Sequence, residues 1–304
     1  MTNSNLRDGI YCASMSVIRN DLSLNAPQTV LHAEKLISLG CEGAILAGTT
    51  GMSAYLSIQD KMNLIEEAGK SSQKEKMIIG PGTTSLLDTA SLINFAKNKG
   101  LNRFLCQPCA YGWPGIKNKG EAIYSYFSAL LNRTGTCEII LYNFPKLVGV
   151  DLSVEAVERL VHDYKDVFIG LKDSGSDDLY KKIKIKNFKV FVGSEKKLES
   201  LIKEGCSGGL ISATVNIHFQ AQLAIKALEN FKKGKDSKDN KLLVKVRSIC
   251  DEFNLIECLH TFFAEKQKIY QNILPPLRLL SEKDKIKFFN QLKEIGFYPE
   301  RKAA

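Results

Sequence analysis

A lysine closes the apolar run Val-Phe-Ile-Gly-Leu-Lys-Asp-Ser at residues 167 to 174, where an ammonium is out of place unless an amine is needed. An amine with an ordinary pKa of about 10.4 is mostly protonated and inert at neutral pH. Desolvation among Phe168, Ile169 and Leu171 would favour the neutral form of Lys172, which can condense with a ketone to an imine and then act as an electron sink. The bland alternative is an ion pair with adjacent Asp173. A second candidate ends the run Cys-Glu-Ile-Ile-Leu-Tyr-Asn at 137 to 143: the phenol of Tyr142 could shuttle a proton, or simply pack with one hydrogen bond. Gly48-Thr49-Thr50-Gly51 offers two hydroxyls and consecutive amides, a suitable cradle for a carboxylate, although the same four residues would serve as an ordinary strand-to-helix turn. Cys106-Gln-Pro-Cys109 has half the spacing of a zinc or redox site, but no second cysteine pair or suitably spaced histidine accompanies it, so no metal is expected. His32, His162, His218 and His260 share no spacing that suggests a ligand set.

Such residues work only if something holds them together. Through residue 230, short β-branched or apolar runs alternate with amphipathic segments, the pattern of repeated βα units on a parallel sheet. Strands are expected at 9–17, 43–47, 77–80, 103–107, 138–143, 167–172, 190–193 and 208–213. Helices are expected at 29–39, 58–71, 86–99, 120–132, 154–162, 178–184, 197–204 and 219–230. Eight such pairs close a TIM (β/α)8 barrel. Residues 231–304 contain no further clear strand. They read as a C-terminal helical appendage, with helices at 241–253, 256–270 and 282–295, packed on the flank of a catalytic barrel formed by residues 1–230. Chemistry in such barrels gathers at the carboxyl ends of the strands. Gly48 to Gly51, Tyr111, Tyr142-Asn143, Lys172-Asp173 and Gly193-Ser194 all fall at those ends.

Composition narrows the class. A chain of 304 residues with 44% hydrophobic content can bury one large core. Scattered cysteines and no leader-like amino terminus suggest a reducing cytoplasm. No apolar stretch approaches the roughly 18 residues needed to span a bilayer, so no membrane association is expected. The net charge of +9 is spread over helix faces and loops without a nucleic-acid-reading motif, which argues against a nucleic-acid partner.

Taken in order, the Gly-Thr-Thr-Gly turn, Tyr142-Asn143-Phe144-Pro145 with Gly149, Gly170-Leu171-Lys172-Asp173-Ser174, Gly193-Ser194 and Gly208-Gly209-Leu210-Ile211-Ser212 resemble the dihydrodipicolinate synthase and N-acetylneuraminate lyase family. These are barrel enzymes that use or release pyruvate through a lysine imine, without a cofactor. The resemblance implies that Lys172 forms the imine and that Thr49 and Thr50 hold the pyruvate carboxylate, with Thr50 relaying protons to Tyr142. It also implies that Gly193 and Ile211 line the pyruvate pocket. Tyr111 matches a tyrosine that reaches into a neighbouring subunit, implying a homo-oligomer built as a dimer of dimers. Two departures bear on the substrate. Leu147 stands where synthases carry an arginine for the carboxylate of aspartate semialdehyde, leaving only Lys146 as a looser point charge. Met52 stands where the family often has Glu, and is closer to the apolar residue of 2-keto-3-deoxy-sugar-acid aldolases. Both departures favour cleavage of a keto-deoxy sugar acid or N-acetylneuraminate-like substrate to pyruvate and an aldehyde. The alternatives are the synthase reaction and dehydration of a keto-deoxy sugar acid.

Overall fold

The computed structural model describes residues 6–297. Eight parallel strands close into a barrel in sequential order, each paired with its chain neighbours and β1 with β8. They are β1 (Gly9–Ala13), β2 (Gly43–Leu46), β3 (Met77–Ile79), β4 (Arg103–Cys106), β5 (Glu138–Asn143), β6 (Phe168–Asp173), β7 (Lys189–Val192) and β8 (Gly208–Ser212). Their near-continuous apolar sequences follow from burial on both faces, one against the barrel axis and one against the helices. Ala13, Ile45, Ile78, Leu105, Ile140, Tyr142, Phe191 and Ile211 fill the interior. Their outward neighbours join the larger core beneath α1 (Ala26–Ser38), α2 (Ile58–Lys70), α3 (Leu86–Asn98), α4 (Lys119–Thr134) and the helices that follow.

The helices start where short polar side chains can satisfy free amides. Ser57 and Asp60 form a reciprocal capping box on α2, and Ser85 and Asn118 cap α3 and α4. After β5 the chain makes a one-turn helix, α5 (Pro145–Val148), that the apolar spacing did not announce. It ends on Gly149 in the left-handed conformation at φ 86°. Beyond α6 (Val154–Asp163), the helix expected at 178–184 is a single turn, α7 (Leu179–Lys182). The segment at 197–204 is divided into a 3-10 turn and α8 (Leu198–Lys203).

After β8, α9 (His218–Lys232) runs past the expected boundary at residue 230. It is followed by α10 (Lys238–Cys250), α11 (Leu255–Ala264) and α12 (Glu282–Glu294). The helix expected at 256–270 stops at Ala264, and Lys268–Tyr270 form a separate 3-10 turn. Residues 298–304 of the expected appendage lie outside the described residues.

One irregularity decides how the site is built. Between β5 and β6 the register slips at Ile139/Ile140: Ile139 opposes Phe168, but Ile140 opposes Gly170, which leaves Ile169 as an extra residue. Ile169 belongs to the interior cluster and Leu171 to the outer one, although strict alternation would put both on one face. The bulge therefore shifts the phase of the strand by one residue. Beyond it Lys172 pairs in register with Tyr142, whose side chain points inward.

Candidate active site

At the carboxyl ends of the strands lies a cavity of about 720 Å³. Lys172, on the last turn of the pleat in β6, is 5% exposed and contributes to its wall. Its Nζ lies 4.4 Å from the ring centroid of Tyr142. It makes no ion pair with any described carboxylate. Asp173, the expected partner in the bland reading, is fully buried and otherwise engaged: it accepts hydrogen bonds from Asn143 Nδ2 at 3.0 Å and from the amides of Gly175 at 3.0 Å and Tyr180 at 3.1 Å. Asn143 in turn accepts the Leu152 amide at 3.0 Å. These bonds tie the ends of β5 and β6 to the following loops and leave the lysine unpaired beside the phenol.

Tyr142 Oη and Thr49 Oγ1 are 3.2 Å apart. The hydroxyl beside the phenol is thus that of Thr49, whereas the sequence reading assigned the relay to Thr50. Thr50 lines the same cavity and is 6% exposed, with no hydrogen bond from its hydroxyl to a described residue. The loop carrying both threonines is tightly wound. Ala47 and Met52 have φ of 51° and 58°, the Met52 amide donates to Thr49 O, and the Ser53 amide donates to Gly48 O. Among the described residues nothing accepts from the amides of Thr49 or Thr50, which leaves these donors for a bound anion. Met52 is fully buried and does not line the cavity; it packs in the core beneath the loop.

Gly193 and Ile211 line the cavity as expected. A Cβ at Gly193 would fall 2.1 Å from Ser174 Oγ, so glycine is needed for the loops after β6 and β7 to meet. Leu147 also lines the cavity, on α5, and is 57% exposed. Tyr111 does not. It projects from the loop after β4, is 91% exposed, and has a φ of 80°, a conformation costly for a residue with a Cβ. The cavity of one chain therefore forms without it.

Several lining residues were not singled out in the sequence. Ser53, Gln107 and Ser194 present side chains with no hydrogen bond to a described residue. The C-terminal segment, expected on the flank, instead closes one side of the cavity with Arg247 and Asp251 at the end of α10, Phe253 to Ile256 in the link to α11, and Leu277. Arg247 and Asp251 look like any other charges on an amphipathic helix; only tertiary packing brings them here. Among the described residues no group of three or more His, Cys, Asp or Glu could hold a metal ion. No described helix is long and apolar enough to cross a membrane.

The chain matches a family model described as the dihydrodipicolinate synthetase family over residues 8–295. It is 27% identical over 220 residues to a 4-hydroxy-tetrahydrodipicolinate synthase of Methanosphaera stadtmanae, an alignment spanning 69% of this chain and 71% of the relative. An Escherichia coli prophage protein of the dihydrodipicolinic acid synthase family, solved in complex with pyruvate, superimposes with a TM-score of 0.83 at 21% identity, covering 96% of this chain and 99% of that one. A Sulfolobus 2-keto-3-deoxygluconate aldolase superimposes with a TM-score of 0.81 at 19% identity, covering 95% and 96%. The last two establish a shared fold.

Proposed function

The chain belongs to the dihydrodipicolinate synthetase family of lyases and aldolases, and on that premise we propose that it cleaves a 2-keto-3-deoxy sugar acid, or an N-acetylneuraminate-like acid, reversibly to pyruvate and an aldehyde. The observation that carries this reading is the buried Lys172 amine, unpaired with any described carboxylate and set against Tyr142 in a closed barrel. Lys172 attacks the C2 ketone, water leaves, and the resulting iminium withdraws electrons from the C3–C4 bond. Tyr142, having passed its own proton along Thr49, takes the proton of the C4 hydroxyl as that bond breaks. The aldehyde departs, the enamine is protonated at C3, and hydrolysis releases pyruvate and the free amine. Thr49 and Thr50 amides and hydroxyls receive the carboxylate, while Gly193 and Ile211 shape the wall around the methyl end.

Leu147 at the cavity wall favours an uncharged aldehyde, because leucine cannot supply the bidentate clamp a second carboxylate needs. The synthase reading finds support in Lys146, which lines the same cavity and makes no ion pair with a described residue. A screen of keto-deoxy acids for pyruvate release, run beside condensation of pyruvate with aspartate semialdehyde, decides between them. Efficient condensation with the semialdehyde, and no release from any keto-deoxy acid, would overturn the reading. Tyr111 belongs in this scheme as a residue offered to a second copy of the chain in a dimer of dimers, consistent with its exposure and its strained backbone. Light scattering that finds only monomer would refute that part.

A further inference from the structure

Arg247 comes from α10, outside the barrel strands, yet its side chain is 9% exposed and forms part of the cavity wall. Two of its three nitrogens are committed. Nε donates to Asp251 Oδ1 at 2.8 Å, and Nη1 is shared among Glu195 Oε2 at 2.9 Å, the Gly193 carbonyl at 3.0 Å and Ser212 Oγ at 3.3 Å. Nη2 donates to no described residue. Behind the guanidinium, Glu195 is wholly buried, and its other oxygen accepts the hydroxyl of Thr214. In front, Asp251 lines the cavity and meets the Lys196 ammonium at 2.7 Å.

These contacts fix both the position and the charge of the group. Burial alone would disfavour the guanidinium, but Glu195 and Asp251 outweigh it and push the Arg247 pKa above its ordinary value. Burial likewise opposes charge on Asp251, but Arg247 and Lys196 hold its carboxyl below the usual range. Two basic side chains, Arg247 and Lys196, are paired with two acidic ones, Glu195 and Asp251, so the formal charges of the cluster cancel. What remains is a rigid N–H arm without net positive charge. With Nε and Nη1 committed, Nη2 is the nitrogen of this arginine left to meet an acceptor in the cavity. With no surplus charge to offset the desolvation of an anion, a hydroxyl oxygen suits it better than a carboxylate.

We propose that Arg247 is a specificity-determining residue for the aldehyde half of the reaction, its Nη2 donating to a hydroxyl on the carbon chain beyond the bond that breaks. The Glu195, Asp251 and Lys196 charges make this subsite select a short neutral polyhydroxylated chain over one with a distal carboxylate. The inference rests on the imine reading above and deepens it by naming what reads the far end of the substrate.

Two variants test it, with pyruvate condensed onto a panel of short hydroxyaldehydes including glyceraldehyde, and onto aspartate semialdehyde. Arg247→Lys keeps the charge but loses the fork, so the KM for hydroxyaldehydes should rise about tenfold while the KM for pyruvate stays within about twofold. Asp251→Asn leaves the cluster with a surplus positive charge, so the ratio of kcat/KM for aspartate semialdehyde to that for glyceraldehyde should rise about tenfold. A parallel rise of both KM values in Arg247→Lys would show that the arginine acts only by holding the Gly193 carbonyl, and would overturn the proposal. So would a ratio unmoved by Asp251→Asn. Borohydride trapping of pyruvate in the same samples separates the two levels of the argument. A Lys172 adduct with unmoved selectivity refutes the subsite alone, whereas no adduct in the unsubstituted protein refutes the imine reading and the subsite with it.

Discussion

The phenol of Tyr142 has one hydroxyl partner among the described residues, Thr49, and the Lys172 amine lies beside its ring. If it carries protons in both imine formation and carbon-bond cleavage, Tyr142→Phe should lower kcat by about a hundredfold or more, with the KM for substrate little changed. Thr49→Val should cost less, because solvent can replace a relay more easily than it can replace the acid itself. Steady-state kinetics on the preferred keto-deoxy acid check both, and a Tyr142→Phe enzyme within a few-fold of the unsubstituted one would remove the phenol from the mechanism. The placing of Lys172 and Tyr142 together at one cavity wall was legible in the sequence, because a polar group ending an apolar strand run is anomalous for burial. Which of Thr49 and Thr50 meets the phenol was not legible, since the two are chemically identical and only the winding of their turn brings the Thr49 hydroxyl to it. Arg247 was invisible for the opposite reason: an arginine on a Lys-rich helix is unremarkable until Glu195, far along the chain, is found behind it.

At the level of elements, the strands were legible to within one or two residues at most ends, since alternation with amphipathic helices is a strong pattern. The exception is β1, which was expected to run to Val17 and stops at Ala13, before a loop whose residues bond to Asn216 and Thr29. The bulge at Ile169 could not be read from periodicity, because its effect is to break the period. It lets Phe168 and Leu171 face the helices while Lys172 joins Tyr142 inside. β8 carries a different constraint. A Cβ on Gly208, at φ 126°, would lie 2.0 Å from the Val190 carbonyl oxygen of β7. Glycine is required there by both the conformation and the close approach of the neighbouring strand. Gly208→Ala should therefore destabilise the barrel by about 3 kcal/mol, read as a lower midpoint in denaturant with an unchanged slope. An unshifted midpoint would mean that β7 and β8 can separate without cost.

Across the whole molecule, the barrel and the C-terminal helices are joined by a buried polar seam. His32 on α1 meets Tyr270 Oη through Nδ1 and Asn216 Oδ1 through Nε2, both at 2.8 Å, and Asn216 bonds the carbonyls of Ala13 and Ala213. His260 on α11 engages the Tyr270 carbonyl through Nδ1, while its Nε2 is buried without a partner among the described residues. Burial lowers the pKa of both histidines to about 4. The unfolded chain, with histidines near 6.5, binds protons that the folded chain refuses between those values, so the stability from keeping each ring neutral is complete above about pH 6.5 and is lost as pH falls toward 4. The loss is at most roughly 3 kcal/mol for each histidine. Melting curves recorded from pH 7 to pH 4 should show a steep fall, and His260→Leu should flatten it. An equally steep fall in that variant would place the acid sensitivity elsewhere. This seam binds the C-terminal helices to the barrel, and α10 and the α10–α11 link of that same segment complete the cavity wall.

The central claim is that the Lys172 amine bonds covalently to a 2-oxo acid, and its most direct test is borohydride reduction in the presence of pyruvate followed by intact-mass and peptide analysis. The account predicts a single carboxyethyl group, located on Lys172 and lost in Lys172→Ala. No adduct, or an adduct on another lysine that persists in Lys172→Ala, would contradict it.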